Sequence, residues 1–539
     1  LNDNAKVGML LSEHLGIQKD YAIEIGLTPN RTDAFGHIGV CRDLYAYHSH
    51  RKNKLNFVYP DVSTYKTSNK KLTIDLKVQN DIACPKYSGV CIQNVNIQAS
   101  PKWLQYKLIS IGLKPINNIV DITNFVLHET GHPLHAFDFN KIKDSKVIVR
   151  NAKKGEKIET LDSCVLELSV EDLVIADTEK PICLAGVIGG LNSAVDSHTK
   201  NIFLESAFFD PTFIRKTAKK HSINSESSYR FERGVDFNCS EFALHRAATL
   251  IRDLCQGVIS TEVLFDSKKL TLSCIDFSFK NCSKILGFSI SENEMVNILL
   301  DLGFEIISQT KDGVRLLAPS YRCDVNREID VVEEIARIYG YDNLPPSNRI
   351  SFQPLFDQKK SVYDLKKDIS MILVADGFYE VQNNSLIPER ISSVFNTSSK
   401  EIVKILNPLS QDLSILRPNM FYNGIETIRY NINRQNYNLK IFEFGHVYHV
   451  KDSDYVETQK LSLFCCGLTK FKNWQEGDKK VNFFYMKSIL DKLLTHLGLD
   501  LNILDVNSNH NSYVANELEY SLKNQSIGSV GVFATNILN

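Results

Sequence analysis

A multidomain α+β protein is what three features of this sequence predict. The chain has 539 residues, enough for about three to five domains of ordinary size. Strand-like alternation of apolar and polar residues, as from Leu72 to Val78, sits beside helical stretches with clear start and stop signals. Beyond about residue 360 a helical stretch gives way to several strands.

Taken in chain order, residues 1–55 hold two helix-like stretches around the loop Leu27-Thr-Pro-Asn-Arg-Thr-Asp33. Asn30 or Asp33 is placed to cap the second stretch, which continues to about Tyr45. Residues 56–69 read as a linker. Residues 70–267 read as a mixed α/β domain. Lys157 to Val170 reads as a hairpin that turns at Asp162-Ser163, with Leu161 closing its first strand. Leu184 to Gly190 reads as a tight turn between strands. Residues 270–347 form a smaller, helix-rich unit. There Ser291 and Glu294 make a capping box, Gly303 stops that helix, and a second helix runs from about Arg327 to Tyr339. Residues 360–539 complete the chain. It starts at Leu1 without an initiator Met and stops at Asn539 within a strand-like run, so both ends are expected to be cut.

Composition narrows the class. Hydrophobic residues make up 43% and charged residues 23%, and the formal net charge is -1. That balance neither demands nor forbids a nucleic-acid partner, which needs only a local basic surface. None of the 12 cysteines forms a C-x-x-C pair, so zinc ribbons and thioredoxin-like motifs lack support. Their apolar settings suit buried thiols in a reducing cytoplasm. No stretch is long and apolar enough to suggest a membrane span. G-x-S-x-G, H-E-x-x-H and P-loop motifs are absent.

Two groups of residues carry possible chemistry. Asp330, Glu333 and Glu334 share one helix face, and Asp324 lies just before that helix. Four carboxylates at one spot would call for a cation, for which Mg²⁺ suits hard oxygen ligands. Alternatively, acids in a first helical turn simply complement the helix dipole. The second group begins with Thr123, Asn124 and His135, followed by Gly186 and Gly189. Glu205 then interrupts an apolar strand, where a carboxyl group is costly without a partner. The nearby glycines would let a ligand approach the backbone. Downstream, Arg215, Lys216, Lys219, Lys220 and His221, with Arg230 and Arg233, form a basic cluster. It suits either phosphate contact or a solvated helix face.

The strings Thr28-Pro-Asn-Arg, Val120-Asp-Ile-Thr-Asn, Pro133-Leu-His-Ala-Phe-Asp and Leu184-Ala-Gly-Val-Ile-Gly-Gly occur in order. Leu204-Glu-Ser-Ala-Phe-Phe, Arg230-Phe-Glu-Arg-Gly-Val-Asp and Ile335-Ala-Arg-Ile-Tyr-Gly-Tyr-Asp follow. Together they resemble the β subunits of bacterial phenylalanyl-tRNA synthetases over almost the whole chain. Asn407-Pro-Leu-Ser and Ile441-Phe-Glu-Phe-Gly also match that family. The resemblance implies a partial N-terminal B1 region at 1–55, a B3/B4 editing domain at 70–267 and a winged-helix-like B5 domain at 270–347. It implies a truncated class II synthetase-like core with an antiparallel sheet at 360–539. No G-x-G-x-G-x-x-R run occurs in that last region, as expected of a core without activation chemistry. The family's N-terminal oligonucleotide-binding fold and C-terminal anticodon-binding domain are not recognised in this sequence.

By the same resemblance, His135, Thr123 and Glu205 would be the catalytic group of the editing pocket. Asn124, Gly186, Gly189, Ser225, Ser227 and Glu205 would contact the substrate. Asp324, Asp330, Glu333 and Glu334 would hold Mg²⁺ shared with an α subunit. Ser225 and Ser227 stand where many relatives carry Thr and Ala, and Lys114 stands near where Arg is common. The implied activity is removal of tyrosine from mischarged tRNA(Phe) within a cytoplasmic α₂β₂ phenylalanine–tRNA ligase, whose α subunit uses ATP to charge tRNA(Phe). A scaffold subunit without editing and a hydrolase without a partner remain competing readings at this level.

Overall fold

A computed structural model describes residues 8–10, 21–52, 55–68, 70–267, 271–346, 351–352, 361–395, 398, 400–470, 472–509 and 513–535. The chain divides into two compact units, residues 1–350 and 351–539. Both mix helices with mainly antiparallel sheets.

In the first unit, helix α1 (His37–His50) precedes strands β1 (Asp75–Val78) and β2 (Lys86–Gln93). Helices α2 (Lys102–Ser110) and α3 (Asn118–Thr130) come next. Strands β3 (His135–Asp138), β4 (Lys146–Asn151), β5 (Lys157–Glu159), β6 (Val165–Glu167), β7 (Leu173–Ala176), β8 (Pro181–Leu184), β9 (Ile188–Gly189) and β10 (Ile202–Phe208) follow. Helices α4 (Pro211–His221), α5 (Glu226–Phe231) and α6 (Cys239–Cys255) lead to β11 (Val258–Asp266).

Two sheets position the site. The first has the order β11-β2-β10-β3, with β10 antiparallel to both neighbours. Every residue of β10 is buried, because both of its faces are covered. The two-residue period sends Phe203 and Ala207 into one core, shared with Tyr87, Cys91 and Phe137. Ile202 and Leu204 enter another, packed against α3 and α6. The second sheet has the order β1-β4-β7-β8-β9 and faces the first core. Helix α3 begins where the Asn117 side chain accepts the Ile119 and Val120 N–H groups, and it ends at Gly131 in the left-handed region.

The loop and helix before residue 52 are part of this unit. The Gly36 and Gly131 backbones touch so closely that a Cβ on Gly36 would overlap the Gly131 nitrogen. The Arg230 guanidinium donates to the Phe35 carbonyl at 3.2 Å, and His37 Nδ1 lies 2.8 Å from the His128 carbonyl. The segment expected to be a linker has no regular structure, yet it is fastened. The Tyr65 ring stacks on His245 at 3.8 Å, and its hydroxyl donates to Glu262 at 2.8 Å.

Residues 271–346 carry β12 (Cys274–Ser278), α7 (Phe279–Leu286), α8 (Glu292–Asp301), β13 (Glu305–Gln309), β14 (Gly313–Leu317) and α9 (Glu328–Tyr339). Ser291 caps α8 by accepting the Glu294 N–H, and Gly340 ends α9 at φ 99°. In the second unit, strands Leu439–Lys451 and Asp454–Cys466 make a long antiparallel hairpin beside helices Val362–Ala375 and Phe483–His496. Arg417 and Glu443 form a buried ion pair there, 2.8 Å apart. An open cleft of about 430 Å³, lined by Asn384, Arg390, Tyr422 and Asn423, contains none of the sequence-predicted site residues.

Several local expectations change. Residues 21–28 are not helical, and the rest of the first expected stretch lies largely outside the described residues. Neither Asn30 nor Asp33 caps α1. Asp33 pairs with Arg31 at 2.9 Å, the Asn30 side chain donates to Asp324, and Gly36 occupies the cap position. Pairing shortens the strand expected at 72–78 to β1, which runs parallel to β4. β5 and β6 form the expected hairpin, but Leu161 lies in its turn and donates its N–H to the Gly189 carbonyl.

Candidate functional site: a pocket and an acidic helix

The pocket grows out of register. Across β10, Glu205 pairs with Gly89 on β2 and with His135 on β3, so the three share one sheet face. The tight turn from β8 to β9 lies over that face. Gly186 at φ 66° makes the turn, and a Cβ there would press on Ile214 at 2.8 Å. A Cβ on Gly189 would fall on the His135 ring, so glycine is required for this close approach. Ser225 holds the turn from the other side: it caps α5 and donates its hydroxyl to the Val187 carbonyl at 2.6 Å.

These elements enclose a cavity of about 40 Å³ lined by His135, Gly186, Gly189, Glu205 and Ser227 together with Leu134, Cys183, Phe209 and Phe231. That volume admits a few waters, well below the several hundred Å³ of a typical small-molecule pocket. Two lining side chains present buried polar atoms without hydrogen-bond partners among the described residues, Glu205 Oε2 and His135 Nε2. Burial raises the Glu205 carboxyl to a pKa of about 8, so it is mostly protonated at pH 7. Burial also lowers the His135 imidazole to about 4, leaving it neutral. Cys183 is no nucleophile, because burial pushes its thiol far up and its Sγ–H is engaged by backbone carbonyls. The arrangement therefore offers a neutral acid, a neutral imidazole and a serine hydroxyl around a small cavity.

The four carboxylates near α9 are arranged differently. The Arg322 guanidinium is buried, grips Asp324 with two hydrogen bonds of 2.9 and 3.1 Å, and also binds both oxygens of Glu334. Arg337 donates to Glu334 at 2.6 Å and reaches Asp43 of α1 at 3.0 Å; Asp43 in turn binds Arg31. Asp330 accepts Arg327 and the N–H groups of Asn326 and Arg327. Glu333 is exposed. For Glu334, burial opposes ionisation, but the bonds from Arg322 and Arg337 outweigh it and bring its pKa to about 2. Three of the four carboxylates expected to converge on a cation are thus engaged by arginines. Arginines already supply the positive charge to Asp324, Asp330 and Glu334, whose oxygens face them, and this donor set as arranged does not fit Mg²⁺. Among the described residues no group of three or more His, Cys, Asp or Glu side chains is placed to hold a metal ion.

Comparison with known proteins places these features in a family. Residues 83–256 match the model of the B3/4 domain, residues 275–341 that of the tRNA synthetase B5 domain, and residues 346–539 that of the phenylalanyl tRNA synthetase beta chain CLM domain. The phenylalanine–tRNA ligase beta subunit of Bacteroides thetaiotaomicron is 38% identical over 98% of this chain and 66% of its own length. That of Porphyromonas gingivalis is 37% identical over 100% of this chain and 67% of its own length. The chain belongs to the family of phenylalanine–tRNA ligase β subunits. It spans 63% to 66% of the length of the first three relatives, which come from Bacteroides. An N-terminal fragment of the phenylalanyl-tRNA synthetase β subunit from Pyrococcus horikoshii aligns with a TM-score of 0.30 and 17% identity over 58% of this chain and 85% of its own, too distant to carry an argument.

For this β-subunit relative, the sequence-predicted pocket residues separate into two groups. His135, Gly186, Gly189, Glu205 and Ser227 line one cavity. Thr123 and Asn124 on α3 are not among its lining residues, and Ser225 supports the wall through Val187. The Thr123 hydroxyl is turned inward on its own helix, donating to the Val120 carbonyl at 2.8 Å. Sequence reasoning missed Cys183, Phe209 and Phe231, which carry no polar signal. It also missed Tyr87, whose place beneath Glu205 depends on strand register. In the basic cluster, Lys220 and His221 pair with Asp172, while Lys216 and Lys219 are exposed. No described helix is long and apolar enough to cross a membrane.

Proposed function

We propose that the first unit clears tyrosine from mischarged tRNA(Phe), as the β subunit of a cytoplasmic α₂β₂ phenylalanine–tRNA ligase whose α subunit performs the ATP-dependent charging. The observation that carries this reading is the pair of partnerless polar atoms, Glu205 Oε2 and His135 Nε2, facing one small cavity from adjacent strands. Buried polar atoms of this kind are costly and ask for a ligand. A pocket built for phenylalanine cannot strongly reject a ring that bears one extra hydroxyl, so a second site that requires the hydroxyl corrects the error.

Glu205 reads the para-hydroxyl as a neutral acid that can both donate to and accept from a phenol. Phenylalanine would leave it unpaired at a cost of about 1–3 kcal/mol. His135 accepts a hydrogen bond from the attacking water or from the terminal ribose. Without an activated nucleophile, water attacks the ester directly. The ring enters when the turn at 185–190, whose glycines lack side chains, gives way. ATP and Mg²⁺ belong to the charging reaction of the assembled ligase, and no step here runs through the carboxylates near α9.

The test is deacylation of tyrosyl-tRNA(Phe) by the heterotetramer. Glu205→Ala is expected to slow it about tenfold or more, with phenylalanine charging by the α subunit as the internal control. Unchanged deacylation would remove Glu205 from the reading.

A further inference from the structure

We infer that Tyr87 is a positioning residue for the tyrosine-reading carboxyl, its buried hydroxyl steadying one side of Glu205 while the other side stays open to the substrate phenol. This inference rests on the editing function proposed above.

The argument begins with the pleat. On the face that carries Glu205, β2 presents Tyr87, Gly89 and Cys91 in sequence. Gly89 lies directly opposite Glu205 and has no side chain; a Cβ there would overlap the Phe203 ring. Tyr87, opposite Ala207, is then the diagonal neighbour of Glu205, within reach of a long side chain. Tyr87 is fully buried, and its hydroxyl completes no hydrogen bond of ordinary geometry among the described residues. It nevertheless acts on Glu205: burial raises that carboxyl, and the Tyr87 hydroxyl draws it part of the way back down. The pocket thus holds a phenol and a carboxyl of which neither is fully engaged, an arrangement that tightens when a second phenol arrives.

No charge of either sign competes for this carboxyl among the titratable groups that face it. They are Tyr87 on β2, Cys84 just before it, Cys183 on β8 and His135 on β3. Burial keeps the first three protonated and His135 unprotonated near pH 7. The remaining wall, made of Pro133, Leu134, the turn at 186–189, Phe209, Ser227 and Phe231, carries no titratable side chain. Burial keeps Glu205 protonated, and of these facing groups Tyr87 is the one that pulls against it and is placed to aim it.

The experiment uses the α₂β₂ holoenzyme with Tyr87→Phe, which removes one oxygen and keeps the ring. Deacylation of tyrosyl-tRNA(Phe) is followed from pH 6 to pH 10 beside wild type and Glu205→Ala. Losing the hydroxyl is expected to move the alkaline limb of the profile to higher pH. The preference for the tyrosyl over the phenylalanyl ester is expected to fall about tenfold, chiefly through KM. Infrared titration of the Glu205 carboxyl in the same holoenzyme reports the upward shift without turnover, so a loss of stability in the variant does not blur the answer. A Tyr87→Phe profile and titration that superimpose on wild type, while Glu205→Ala is impaired, overturn the role of Tyr87 alone. If Glu205→Ala is also unimpaired, the editing reading itself has failed.

Discussion

Glu205 and Glu334 are both buried glutamates in one folded unit, yet they end in opposite protonation states. Glu334 lies between two arginines and its pKa falls to about 2; Glu205 has no cation nearby among the described residues and its pKa rises to about 8. Burial penalises both charges alike, so the difference lies in what the neighbouring residues supply. The first arrangement ties structure together: Arg322 and Arg337 join α9, the loop before it and α1 through Asp324 and Asp43. The second leaves a polar atom without a partner inside a cavity, which is how a binding site differs from a brace.

The contrast can be broken most directly at Glu334. Glu334→Ala leaves Arg322 buried and half-paired, and should cost about 3–5 kcal/mol, seen as an earlier thermal transition of the first unit. An unchanged melt would show that the arginines are solvated. A sharper form replaces Arg322 and Glu334 together with Met and Leu, which should recover part of that loss, because Arg337 keeps Asp43 and the remaining cost falls on Asp324, which loses its arginine.

The pH dependences should run in opposite directions. Glu334 stabilises the fold above its unfolded pKa near 4.5, and that contribution is lost as pH falls toward 2. For Glu205 the folded state binds its proton more tightly than the unfolded chain. Its contribution is full below about pH 4.5 and is lost as pH rises through about 8, a swing on the order of 5 kcal/mol. Glu205→Gln should therefore melt like wild type at pH 4 but later than wild type at pH 9. Equal melting at both pH values would mean that Glu205 is already ionised or solvated. The smallest effect concerns metal: exhaustive chelation should leave the melting temperature of this chain unchanged, since Asp324, Asp330 and Glu334 already have arginine partners. A fall of several degrees would restore a cation to that cluster.

Residues close in sequence were the legible ones. The Ser291 cap, the Asp162-Ser163 turn and the Gly-rich turn at 184–190 all follow from local conformational preference. Glu205 stood out because a carboxyl in an apolar strand is costly wherever the strand lies. What could not be read depends on register or on distance along the chain. Tyr87 meets Glu205 only because β2 and β10 pair with Ala207 opposite Tyr87. Arg322 lies two residues from Asp324 and twelve from Glu334, and its grip on both appears only once α9 folds back beside the preceding loop. The spacing of the acids left a cation site and a dipole-complementing first turn both open, and only the family resemblance pointed to Mg²⁺.

The joint between α1 and its surroundings bears on where this molecule can be divided. The backbone touch of Gly36 on Gly131, the Arg230 bond to Phe35 and the Arg337 bond to Asp43 all cross the irregular stretch after α1. A protease that nicked the chain between residues 56 and 68 would leave two fragments that still co-purify. Truncation upstream of residue 70, by contrast, would strip buried partners from both the editing fold and α9.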